Sequence, residues 1–111
     1  MLNNILTHLN NEANLGEILR DHNEIEIKSL KGGRFILVKG FKKVGSLFKR
    51  TKVDVYELFY YIPIKEGYAY YSEITIEHDK YFEVNNLWEN LLEIMDLREQ
   101  KTYEEKLMEY L

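Results

Sequence analysis

Cysteine is absent from this chain of 111 residues, which excludes disulfides, iron–sulfur clusters, thiolate zinc sites and thiol catalysis. No apolar run approaches the roughly 20 residues that cross a bilayer. The stretch from Met1 to Asn14 is polar and Asn-rich, without the basic start and long apolar centre of a signal peptide. A cytoplasmic protein with no membrane contact is therefore expected. Catalytic signatures are missing too: no HExxH, GxSxG or P-loop string occurs. His8, His22 and His78 are far apart. Glu77-His78-Asp79, read as strand, sends neighbouring side chains to opposite faces and cannot converge on one ion. His78 fits better as a local partner of Asp54. The chain is expected to be no enzyme and to need neither metal nor cofactor.

The absence that says most is local. No Asp or Glu lies between Lys28 and Lys52, a stretch that holds Lys28, Lys31, Arg34, Lys39, Lys42, Lys43, Lys49, Arg50 and Lys52. The whole chain is −4 at pH 7, so a segment of +9 leaves −13 on the rest. Charge separated in this way concerns what a molecule touches more than how it folds.

What is present suits one soluble domain over residues 1–111. Hydrophobic residues make up 45% and charged residues 31%, enough to bury a core without staples. Asn, Lys, Ile and Tyr outnumber Ala, Gly and Pro, the composition that AT-rich coding gives in low-GC bacteria, their phages and their plasmids.

Leu2, Ile5, Leu6, Leu9 and Ala13 follow helical spacing, and Leu15, Ile18 and Leu19 continue the stripe, with Gly16 placed to divide it. Asp21-His22-Asn23 reads as a turn. Glu24 to Leu30 and Arg34 to Lys39 read as strands around a two-residue Gly32-Gly33 turn. That register sets Lys28 opposite Leu37, Ile27 opposite Val38 and Glu26 opposite Lys39. Gly40 to Lys52 reads as an extended loop or a bulged strand. Val53 to Ile64 and Tyr68 to Glu77 form the strongest hairpin, joined by Lys65-Glu66-Gly67. Pairing Ile64 with Tyr68 places Tyr56, Leu58 and Ile62 opposite Ile76, Ile74 and Tyr70 on a core face. The reverse face holds Glu57, Phe59, Tyr61, Tyr71, Glu73, Thr75 and Glu77.

Asn85 or Asn86 can cap a helix containing Leu87, Trp88, Leu91, Leu92, Met95 and Leu97. Thr102 and Glu105 have capping-box spacing and predict a last helix through Leu107, Met108 and Leu111. The expected fold is α+β: an N-terminal helix, a four-stranded antiparallel meander, and one or two C-terminal helices packed on one face.

Function points to binding. Phe35, Phe41 and Phe48 interleave with the bases, a pattern that suits phosphate contact with ring stacking. The candidate contact residues for a partner or nucleic acid are Arg34, Lys39, Lys42, Lys43, Lys49, Arg50, Lys52, Phe41 and Phe48. Phe59, Tyr61 and Tyr71 form a second candidate surface. Tyrosine is favoured at protein interfaces, and the carboxylates on that face repel phosphate. From Glu83 to Glu109 eight carboxylates face Arg98, Lys101 and Lys106, an acidic helical surface able to imitate a phosphate backbone. The leading expectation is a non-enzymatic binding protein of the inhibitor, anti-defence, immunity or adaptor kind, docking on a protein or nucleoprotein. An RNA- or single-stranded-DNA-binding module is the alternative. A further reading has the basic segment fold onto the acidic helices of its own chain or of a symmetry mate, making a homodimer.

Overall fold

The computed structural model describes residues 2–76 and 80–111. Its elements in chain order are α1 (Leu2–Glu12), β1 (Glu17–Asp21), β2 (Glu24–Lys28), β3 (Arg34–Ser46), β4 (Lys49–Lys65), β5 (Tyr68–Ile76) and α2 (Tyr81–Tyr110). The strands form one antiparallel sheet in the order β1-β2-β3-β4-β5, each paired with its neighbour in sequence. The class is α+β, as the sequence predicts, with five described strands and one C-terminal helix.

Alternation along the strands decides the buried face. Ile25 and Ile27 of β2, Phe35 and Leu37 of β3, and Tyr56, Leu58 and Tyr60 of β4 all point to one side. Leu6 and Leu9 of α1, with Val84, Leu87, Trp88 and Leu91 of α2, close over them in a single cluster. Both helices therefore cover the same face, and among the described residues nothing packs over the other face of the sheet. Trp88 is buried, its ring 5.8 Å from that of Tyr56, where the sequence places it.

Tyr56 has no exposed surface, and its hydroxyl donates to Asn85 Oδ1 at 2.8 Å. Burial, aided by the nearby Tyr81, raises the phenol well above its ordinary range, so it stays protonated as a donor. Removing it with Tyr56→Phe should cost about 1 kcal/mol in urea unfolding, because Asn85 loses its donor inside the protein. An unchanged midpoint would mean that water already serves Asn85.

Four expectations need correction. The segment after Gly16 is β1, not more helix: Ile18 is buried opposite Ile27 while Leu19 points outward, a period of two that a helical count of apolar residues misses. The β2–β3 register differs by three residues, with Ile27 opposite Phe35 and Ile25 opposite Leu37. A Gly32-Gly33 turn would have put Leu37 beside Lys28. Burying Phe35 and Leu37 with the two isoleucines needs a longer loop instead, closed by Ser29 N donating to the Gly33 carbonyl at 2.8 Å. The stretch from Gly40 to Ser46 is regular strand, neither loop nor bulge. Finally, α2 is one helix whose N-cap is Lys80. Asn85 lies inside it, bound to Tyr56, and Thr102 donates to the Arg98 carbonyl rather than starting a new helix.

The β4–β5 pairing agrees with the sequence. Tyr56, Leu58 and Ile62 meet Ile76, Ile74 and Tyr70, and Tyr61 meets Tyr71. Only the last step differs, where a bulge at Ile64 sets Lys65 opposite Tyr68. The Asp54–His78 pair and the Glu77 position lie outside the described residues. The Asp21-His22-Asn23 turn joins β1 to β2, with His22 at φ 51°.

The molecule is elongated. Its radius of gyration is 17.1 Å, against about 13 Å for a compact chain of this length. Two projections cause this: the ends of β3 and β4 at one end, and the C-terminal part of α2 at the other.

Candidate functional site

Pairing of β3 with β4 runs seven steps past the sheet body, from Gly40 opposite Val55 to Ser46 opposite Lys49. β2 stops opposite Val38, and the described part of β5 stops opposite Tyr56. Among the described residues, this arm of about 23 Å has no lateral neighbour. Its sequence explains why. Lys42 beside Lys43, and Lys49 beside Arg50, place bases on both faces, so neither face can be buried in a core.

Five of the candidate bases sit on this arm, and Lys39 stands at its root. Lys39, Lys43, Arg50 and Lys52 share the face that continues the core side of the sheet, while Lys42 and Lys49 take the reverse. Lys43 stands directly opposite Lys52, a like-charge pair that weakens the ribbon and contributes nothing to the fold. Lys52 Nζ lies 4.5 Å above the Phe41 ring, a contact that holds the exposed ring in place. At the arm's tip Leu47 and Phe48 are 82% and 97% exposed. Gly45 has φ +121°, and a Cβ there would collide with the Lys49 carbonyl, so glycine permits the tight end of the arm.

The structure separates the candidates into two groups. Arg34 is not on the arm. It points to the face of the sheet away from the helices, with Nε 2.5 Å from Glu26 Oε1, and that carboxylate raises its pKa further. Phe35, read from sequence among the basic-segment rings, is core and 4% exposed. Lys39 is at the arm's root, its Nζ 5.9 Å from the Tyr56 ring.

The second candidate surface is where the sequence register places it. Tyr61 and Tyr71 are cross-strand partners, 48% and 59% exposed, with Phe59 half-buried beside them. No described helix covers this face. Together with Arg34 and Ile36 they line a shallow hollow of about 120 Å³. Exposure of this degree means that replacing both tyrosines with Ser should move the thermal midpoint little, by less than about 0.5 kcal/mol each. A large loss of stability would place the rings in a core instead. Tyr61 and Lys52 lie nine residues apart on β4, about 30 Å along the strand. Basic arm and tyrosine patch are therefore two surfaces.

Sequence reasoning missed several exposed groups. Ile62 and Tyr70, expected on the core face, are instead 39% and 51% exposed, because the core cluster on β4 stops at Tyr60; with Ile64 and Tyr68 they extend the apolar end of the β4–β5 hairpin. Beneath it, a groove of about 460 Å³ runs between α1 and the β2–β3 loop, lined by Ile5, His8, Lys31, Phe35, Ile62 and Pro63. The C-terminal part of α2 packs on nothing described, leaving Leu97, Tyr103, Leu107 and Met108 exposed. The sequence places Leu97, Leu107 and Met108 on C-terminal helices packed on one face, and the structure leaves them uncovered by any described residue. Their exposure follows from Arg98, whose guanidinium donates to the Ala13 and Gly16 carbonyls at 2.8 and 3.0 Å and marks where the helix leaves the body.

Among the described residues no cluster of three or more His, Asp or Glu side chains is arranged to hold a metal ion. No described helix is long and apolar enough to cross a membrane. No protein-family model, curated protein or solved structure matches this chain.

Proposed function

We propose that this chain is a non-enzymatic binding protein that docks on a nucleoprotein or a protein bearing a polyanionic surface. The basic arm meets the anionic part, and the tyrosine patch meets protein. The observation that carries this reading is the pair of exposed surfaces of opposite chemistry at the two ends of β4. One carries six bases and no acid from Lys39 to Lys52. The other carries Tyr61 and Tyr71 among Glu57 and Glu73, which favours protein over phosphate. Inhibitors, immunity proteins and adaptors of phages and mobile elements are of this size and style.

A second reading is a module for RNA or single-stranded DNA alone. The exposure of Phe41 and Phe48 beside the bases favours it, since rings in such positions stack on bases.

Fluorescence anisotropy with labelled single-stranded RNA, single-stranded DNA and duplex, at low and near-physiological salt, separates the two. Tight binding to bare strands that is indifferent to Tyr61→Ser and Tyr71→Ser supports the second reading. Weak binding to bare strands, with capture of a host complex that is lost on changing either surface, supports the first. No binding by either route, even at low salt, removes both.

A further inference from the structure

Helix α2 changes its apolar side halfway along. In the first half Val84, Leu87, Trp88 and Leu91 are buried against the sheet, and the side turned away carries Asn86, Glu89, Glu93 and Asp96. In the second half the exposed residues Leu97, Tyr103, Leu107 and Leu111 fall about 180° round the helix from that buried side. The outward side therefore reads as polar and acidic for about three turns and then as mostly apolar, with Gln100 and Glu104 set among the apolar residues.

The arm reads the same way with the opposite charge. Its shaft is basic, and its tip is apolar through Val44, Leu47 and Phe48. The lengths agree as well. From Phe48 back to Lys39 is about 26 Å along the ribbon, and from Leu107 back to Glu89 is about 27 Å along the helix.

Within one molecule the two cannot meet. Tyr81, at the start of α2, reaches Asp54 near the arm's root at 3.5 Å. Further along, Arg98 binds Ala13 and Gly16, next to the β1–β4 row of Glu17, Lys28, Arg34 and Tyr61 at the far end of the sheet. Arm and helix tail leave the body in opposite directions. Turning a second copy end over end places each arm beside the other copy's helix, so one two-fold axis satisfies both contacts.

We propose that the chain forms an antiparallel two-fold dimer in which the arm of each copy lies along the outward side of the other copy's α2. In the register that the lengths set, Lys39 meets Glu89, Lys43 and Lys52 meet Glu93 and Asp96, and Phe48 meets Tyr103 and Leu107. The dimer needs no partner, so it stands or falls separately from the proposed function. It implies that a polyanion competes with the second copy for the arm.

The test is sedimentation of the chain alone. The wild type should have twice its 13.4 kDa mass, and the association should weaken with salt. Lys43→Glu with Lys52→Glu should be monomeric, as should Glu93→Lys with Asp96→Lys, because each variant sets like charges together. An equimolar mixture of the two variants should return to the doubled mass, since both contacts are then again between opposite charges. A monomeric wild type, a dimer that survives either reversal, or a mixture that stays monomeric overturns the proposal. Because the chain has no cysteine, a Phe48→Cys, Leu107→Cys variant provides an independent check. Oxidation should link two chains covalently, and failure to do so also overturns the contact.

Discussion

Replacing Lys43, Lys49, Arg50 and Lys52 with Gln is expected to reduce affinity for a polyanionic partner by about 100- to 1000-fold, while leaving the fold unchanged. The argument is electrostatic. Each base that neutralises a phosphate releases counterions, so four lost contacts should lower the slope of log K against log salt by about 3 on a single strand. The fold is spared because all four side chains are exposed on a ribbon outside the core cluster. Anisotropy across a salt series measures the slope, and circular dichroism checks the fold. An unchanged slope would remove the arm from the contact. A lost fold would contradict the ribbon's independence from the core.

Trp88→Ala carries the largest expected effect on stability, about 3–5 kcal/mol. Trp88 is 4% exposed and its ring lies tilted against that of Tyr56, the largest fully buried side chain among the described residues. Its removal opens a cavity between α2 and the sheet that neither the hydrogen-bonded Tyr56 nor helix α2, tied down by Arg98, can readily fill. A domain with the usual ~5–15 kcal/mol of stability would be left marginal. Denaturant unfolding followed by far-ultraviolet dichroism should show the midpoint falling sharply. A shift under about 1 kcal/mol would mean that the α2–sheet contact is far looser than its burial implies.

The two substitutions mark different degrees of legibility in the chain. The β4–β5 register could be read because Tyr56, Leu58, Ile62, Ile74 and Ile76 fall at even positions while Glu57 and Glu73 fall at odd ones, and a slip of one residue would have mixed the two sets. Exposure of Tyr61 and Tyr71 followed from the same alternation, once no described helix was found to cover that face. The β2–β3 register could not be read in this way. Gly32-Gly33 offered a tight turn with sound local chemistry, but burial of Phe35 and Leu37 outweighed it. β1 was hidden for a related reason: five residues with one buried side chain are too few to distinguish a period of two from helical spacing.

By itself the sequence determined the α+β class, the core face of the long hairpin, the placement of Trp88 and the run of bases without acid. These are local matters, set by alternation along a strand and by charge along the chain. Tertiary structure alone decided that the bases stand on a ribbon with no described neighbour, that Arg34 belongs with Glu26 and not with them, and that the apolar residues after Leu97 face away from the core. Each depends on where neighbouring elements end: β2 opposite Val38, described β5 opposite Tyr56, and the body of the domain at Arg98. A side chain is core or surface according to what lies across from it, and residues distant in sequence decide that.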